Sequence, residues 1–155
     1  MEIRQIPLSM AFDVAAERST AEALFDVPKE AVYGVDLTFL YDAVEHNPSD
    51  RDRVWHLVGG SEKNQITGQW EESGAPLILE IALQRRDADK EIPILQAQVT
   101  QPHLSSWGKE TLTTELTAAR LPPGIYHLVV RNLRSAPILH DVRSRVDVVR
   151  AYRGK

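Results

Sequence analysis

The chain has 155 residues, a formal net charge of −4, 43% hydrophobic residues and no cysteine. That length fits one domain, residues 1–155, large enough to bury a core of its own. The missing cysteines exclude a disulfide scaffold, cysteine-ligated zinc, iron–sulfur clusters and thiol chemistry. No apolar run approaches the roughly 20 residues of a membrane helix, and the mild acidity argues against a nucleic-acid-binding surface.

Residues 1–8 are short and mixed (Glu2, Arg4 and Gln5 among them), which predicts a flexible N-terminus without the charged start and apolar core of a signal peptide. Two compartments fit: the cytoplasm, or the periplasm for a chain whose export segment has been removed.

Period-two alternation, the mark of half-buried strands, dominates the rest of the chain. Met10, Phe12 and Val14 alternate with Ala11 and Asp13. Ala21, Ala23, Phe25 and Val27 alternate with Glu22, Leu24 and Asp26, and Pro28-Lys29-Glu30 reads as a turn. Residues 31–41 carry the pattern best. Ala31, Tyr33, Val35, Leu37, Phe39 and Tyr41 share one face, and Val32, Gly34, Asp36, Thr38 and Leu40 the other, wetter one.

Residues 49–60 change period. Ser49 can cap a helix, Asp50 and Asp52 suit its first turn, Val54, Leu57 and Val58 share one face, and Gly59-Gly60 supplies the stop. Residues 61–75 are polar and predict a loop. Leu77, Leu79, Ile81 and Leu83 then define a second strong strand, followed by a charged turn at Arg85–Lys90. Ile92–Val99 predicts a strand that Pro93 pushes to a sheet edge. Residues 101–108 read as a loop and 112–116 as a strand. Leu121-Pro122-Pro123-Gly124 turns directly into Tyr126, Leu128 and Val130, the pattern of a tyrosine corner whose hydroxyl bonds upstream backbone. After a loop at 134–141, Val142–Tyr152 closes the chain as a strand with Arg143 and Arg145 pointing the same way. About eight strands and one short helix, joined mostly by short turns, predict an all-β fold. The expected architecture is an antiparallel β-sandwich, immunoglobulin-like or jelly-roll-like.

Catalytic patterns are missing from the sequence. His46, His56, His103, His127 and His140 show no i, i+2 or i, i+4 pairing, so no metal is expected. Asp50 and Asp52 lack the further oxygen ligands of a calcium loop. There is no nucleophile elbow, dinucleotide fingerprint or phosphate loop. The expectation is a non-enzyme without a cofactor. A weaker reading assembles a catalytic site from His103, His127 and distant acids. The tryptophans differ in setting: Trp55 lies on the helix and suits core packing, whereas Trp70 and Trp107 lie in polar loops and are candidate binding anchors for a protein or a sugar ring. Glu71, Glu72, His103 and His46 accompany them as candidate partner contacts. Arg85-Arg86 and the Arg143, Arg145, Arg150, Arg153 set offer either a docking stripe for an acidic partner or a solvated edge.

Several pieces, in order, resemble a family of uncharacterised bacterial lipoproteins, a domain of unknown function of β-sandwich type. They are Pro28-Lys29-Glu30; Tyr33, Leu37, Phe39 and Tyr41; Ser49–Val54; Leu57-Val58-Gly59-Gly60; Gly74-x-Pro76; Ser106-Trp107-Gly108; Leu121-x-Pro123-Gly124-x-Tyr126; and Val130-Arg131-Asn132-Leu133. The resemblance spans residues 25–135. It implies an exported domain tethered through a removed lipid-anchor cysteine, hence periplasmic, and carries no catalytic residue to transfer. Such proteins often accompany secreted toxins. The functional expectation is therefore an immunity-type protein that occludes the active site of a cognate antibacterial effector. The alternative is a carbohydrate- or envelope-binding module.

Overall fold

The computed structural model describes residues 1–42 and 48–151. Its two five-stranded sheets face one another across a single core. The first has the order β1 (Ile3–Gln5), β3 (Thr20–Val27), β11 (Gly124–Asn132), β7 (Ile78–Asp87), β8 (Lys90–Thr100). The second has the order β2 (Leu8–Ala11), β12 (Arg143–Arg150), β4 (Ala31–Leu40), β10 (Thr111–Leu121), β9 (Ser106–Trp107). A small hairpin, β5 (Glu62–Lys63) with β6 (Trp70–Glu71), stands apart, and helix α1 spans Pro48–Leu57. All pairings are antiparallel except β1 with β3. This is an all-β sandwich.

Alternation places the core as expected. Ala31, Tyr33, Val35, Leu37, Phe39 and Tyr41 are all buried, as are Leu77, Leu79, Ile81 and Leu83 from the facing sheet. Phe25 and Tyr126 stack within the core, ring centroids 5.8 Å apart. The Tyr126 hydroxyl donates to the Pro122 carbonyl at 2.7 Å, which is the expected corner. Burial raises that hydroxyl's pKa. Tyr33 repeats the device, donating to the Lys29 carbonyl at 2.6 Å.

The eight predicted strands are β2, β3, β4, β7, β8, β10, β11 and β12, but β2 ends at Ala11, before Phe12 and Val14, and Arg85–Asp87, expected in a turn, extend β7. The sequence pattern missed β1, β5, β6 and β9, which have only two or three residues each. Two of these alter expectations. Residues 1–8, expected to be a flexible N-terminus, contain β1 and the first residue of β2, so this segment joins an edge of each sheet. The polar stretch 61–75 contains the β5–β6 hairpin rather than a simple loop. Ser49 lies inside α1, not ahead of it. The helix still ends as expected: Gly60 N–H bonds Trp55 C=O, and Gly59 N–H bonds His56 C=O, the paired bonds of a Schellman stop.

Strand direction makes the two ends of the sandwich unlike. One end holds the short turns 28–30, 88–89 and 122–123. The other holds the connections 12–19, 41–77, 101–110 and 133–142, and with them α1, the β5–β6 hairpin and β9.

Candidate functional site: the loop end of the sandwich

Four connections meet at the loop end, and backbone bonds tie them together. Ala75 N–H bonds Pro102 C=O, Ala136 N–H bonds Ala15 C=O, and Gly74 N–H bonds Gly59 C=O within the longest connection. The approach of residue 59 to residue 74 is so close that a Cβ on Gly59 would lie 1.9 Å from the Gly74 carbonyl oxygen. Both glycines also adopt the left-handed conformation that L side chains resist.

On this base sits an aromatic row. The Arg51 guanidinium lies 5.0 Å from the Trp55 ring centre. Trp55 meets Trp107 edge to face, with centroids 5.6 Å apart and planes at 72°. The Trp55 indole N–H donates to the Ser61 carbonyl at 2.9 Å. Trp55 is half-buried and packs against the edge of the core as expected, while Trp107 is 60% exposed. Strand β9 presents Trp107 by pairing it with Leu112 of β10.

Trp70 stands on the hairpin, paired with Lys63, and is 71% exposed. The hairpin tip is shaped by Asn64, whose Oδ1 accepts the Ile66 and Thr67 N–H groups. Ile66 at the tip is 96% exposed. Glu71 accepts from Asn64 Nδ2 at 3.2 Å. An open cavity of about 390 Å³ lies under the hairpin, bounded by Gly60, Glu62, Lys63, Asn64, Gln65, Ile66, Glu71 and Ser73.

The adjacent acids Glu71 and Glu72 have separate partners, so they are not a carboxylate pair. Glu72 Oε1 lies 2.6 Å from His103 Nδ1 and links the hairpin stem to the 101–105 connection. Thr114 Oγ1 bonds the His103 carbonyl beneath. Trp70, Glu71, Glu72, His103 and Trp107 thus all belong to the loop end. His46 lies outside the described residues, as does Arg153 of the arginine set. Arg145 donates to Asp147 at 3.1 Å, and β12 lies between β2 and β4, so its arginines do not form a sheet edge.

The sequence reading missed Arg51 and Ile66. Arg51 could have been found: it precedes Trp55 by four residues on one helix, where the two side chains meet. Asp50 binds the Asp42 N–H at 2.6 Å and Arg53 at 2.9 Å, and those bonds hold its carboxyl below the usual value. Arg53 also reaches Asp141, tying α1 to the 133–142 connection.

His103 and His127 are not brought into one site. His127 lies on the outer face of the first sheet, between Glu22 on β3 (Nε2–Oε2 2.5 Å) and Glu91 on β8 (Nδ1–Oε1 3.1 Å). Burial works against its charge, but the bonds to Glu91 and Glu22 outweigh it and raise the pKa. Among the described residues no group of three or more His, Cys, Asp or Glu side chains could hold a metal ion.

No curated protein matches the chain. Among solved structures it is similar to a crystal structure of GEBA250068378 from Sulfurospirillum deleyianum, with 16% identity, 95% of this chain and 98% of that one covered, and a TM-score of 0.75. A weaker likeness is to the pre-peptidase C-terminal domain of collagenase from Bacillus anthracis, with 12% identity, coverage of 95% and 94%, and a TM-score of 0.35. The first likeness shows a shared fold. Residues 9–150 match the family described as "Domain of unknown function (DUF5625)", and the chain therefore belongs to that family.

Proposed function

We propose that this domain is a non-enzymatic protein-binding module that engages its partner through the loop end. One observation carries the reading: Ile66, Trp70 and Trp107, three of the most exposed large apolar side chains, all belong to that one end. Exposing such groups costs solvation free energy, and tryptophan and arginine dominate the strongest contacts of protein interfaces. The row Arg51–Trp55–Trp107 provides this chemistry on a base fixed by backbone bonds. A prebuilt surface loses less entropy on binding.

The finer reading is an immunity-type protein that covers the active cleft of a cognate antibacterial effector in the periplasm. It rests on the resemblance to exported lipoproteins carried by the sequence. The test is direct: purify the toxin-like product of a neighbouring gene and titrate it with this protein. Binding with loss of toxin activity supports the reading. The double variant Trp70→Ala/Trp107→Ala should weaken binding by about 2 kcal/mol or more, because at least one ring is a central anchor. Unchanged affinity refutes the placement. Glycan stacking on the exposed indoles is the second reading, and a tryptophan emission shift with soluble glycans but no bound protein would favour it.

A further inference from the structure

Natural sheets shield their edges, because an open row of backbone N–H and C=O groups templates pairing with another chain. Three of the four outer strands here are short: β1 has 3 residues, β2 has 4 and β9 has 2. The fourth, β8, has 11 residues and, among the described residues, no strand beyond it. Its first part is guarded by Lys90, Glu91 and Pro93, and the register with β7 slips just after them, at Ile94. From Ile94 to Thr100 the guard stops. Those seven residues, Ile-Leu-Gln-Ala-Gln-Val-Thr, carry no charge and no proline.

The open segment is also complementary to itself. Leu95, Ala97 and Val99 share the core-side face, half-buried, while Gln96 and Gln98 share the outer face. Antiparallel pairing about a two-fold axis at Ala97 uses all seven residues. It sets Leu95 against the partner's Val99 and Ala97 against the partner's Ala97 on the core side. It sets Gln96 against the partner's Gln98 on the outer side, amide to amide. No charge meets a like charge, and Pro93 falls outside the pairing.

We propose that β8 is a homodimerisation edge, joining two copies into one continuous ten-stranded sheet through Ile94–Thr100. The occupant is a second copy of this chain, because Leu95–Val99 matches its own reverse in apolarity and amide content. The loop-end surface lies at the ends of the strands and is not part of this contact.

Sedimentation velocity over a concentration series provides the test. The wild type should show a reversible monomer–dimer equilibrium. Gln96→Lys with Gln98→Lys opposes lysine to lysine twice and should raise the dissociation constant roughly tenfold. Gln96→Glu with Gln98→Lys opposes glutamate to lysine at the same two contacts and should dimerise at least as tightly as the wild type. The lysine introduced at position 98 also faces Glu80 across β7–β8. Both positions are exposed, so matched thermal melts verify the fold. Independently of any variant, amide exchange at Ile94–Thr100 should slow as wild-type concentration rises. A wild type that stays monomeric throughout overturns the proposal. So does a dimer that the two variants affect alike, or exchange at this edge that ignores concentration.

Discussion

Gly60→Ala tests how tightly the aromatic row is set into its base. A Cβ at position 60 would lie 2.4, 2.5 and 2.6 Å from Trp55 Cε2, Nε1 and Cδ2. Ordinary contact begins at 3.4 Å, so the indole must retreat by about 3.4 − 2.4 = 1.0 Å. A retreat of that size takes the 2.9 Å bond from Trp55 Nε1 to Ser61 C=O out of hydrogen-bond range. It also disturbs the edge contact with Trp107. Overpacking costs about 1–3 kcal/mol, and the lost bond about 1 kcal/mol. Because Trp55 is half-buried and can give way toward solvent, the expected total is about 2 kcal/mol, or about 4–8 °C in Tm for a chain of this size. Gly68→Ala is the control. Its Cβ meets nothing within 4 Å, and only its left-handed backbone is penalised, at about 1 kcal/mol. Thermal unfolding followed by circular dichroism and tryptophan emission measures both. If Gly60→Ala melts with the wild type and its emission is unchanged, Trp55 is not held as described.

Three other outcomes follow from the same contacts. Tyr126→Phe removes the hydroxyl bond to the Pro122 carbonyl but keeps the stacked ring, so urea unfolding should show a loss of about 1–2 kcal/mol with an unchanged m-value. Asn132→Leu strips two donors from the Val14 and Ala16 carbonyls in a buried place and should cost about 2–4 kcal/mol in the same assay. His127 has a folded pKa above its ordinary value, so its contribution is complete below about 6.5 and is lost as pH rises through the folded pKa. The stability difference between the wild type and His127→Gln should therefore shrink from pH 6 toward pH 9, and a difference independent of pH would contradict the bridge from Glu22 to Glu91.

The parts of the fold that the sequence disclosed are those where burial repeats with a fixed period. Residues 31–41 are the clearest case: six alternate side chains face a dry core, so the alternation survives in the sequence. The Tyr126 corner was legible because proline, glycine and tyrosine each have a local conformational reason to stand there. Strands β5, β6 and β9 were not legible. Two residues cannot show a period, and both faces of these strands are exposed. The site was legible by composition only. Trp70 and Trp107 stood out as aromatic residues in polar stretches, but the link from Trp55 to Trp107 joins a helix to a strand 52 positions away, and no local pattern encodes it. The split of Glu71 from Glu72 was hidden for the same reason: Glu72 finds His103 across 31 positions.

The unlike ends of the sandwich bear on how such a domain diverges. The long ladders end before the 12–19, 41–77, 101–110 and 133–142 connections begin, so exposed residues replaced or inserted there, as around Ile66, leave the ladder bonds intact, while buried ones such as Val14, Val54 and Leu139 stay part of the core. Selection can rewrite one end while the opposite turns and their two tyrosine corners hold the frame. A common frame at 16% identity with the Sulfurospirillum deleyianum protein accords with that freedom. Relatives of this chain should accordingly vary most in the length and chemistry of the loop end, each variant presenting a different surface on the same two sheets.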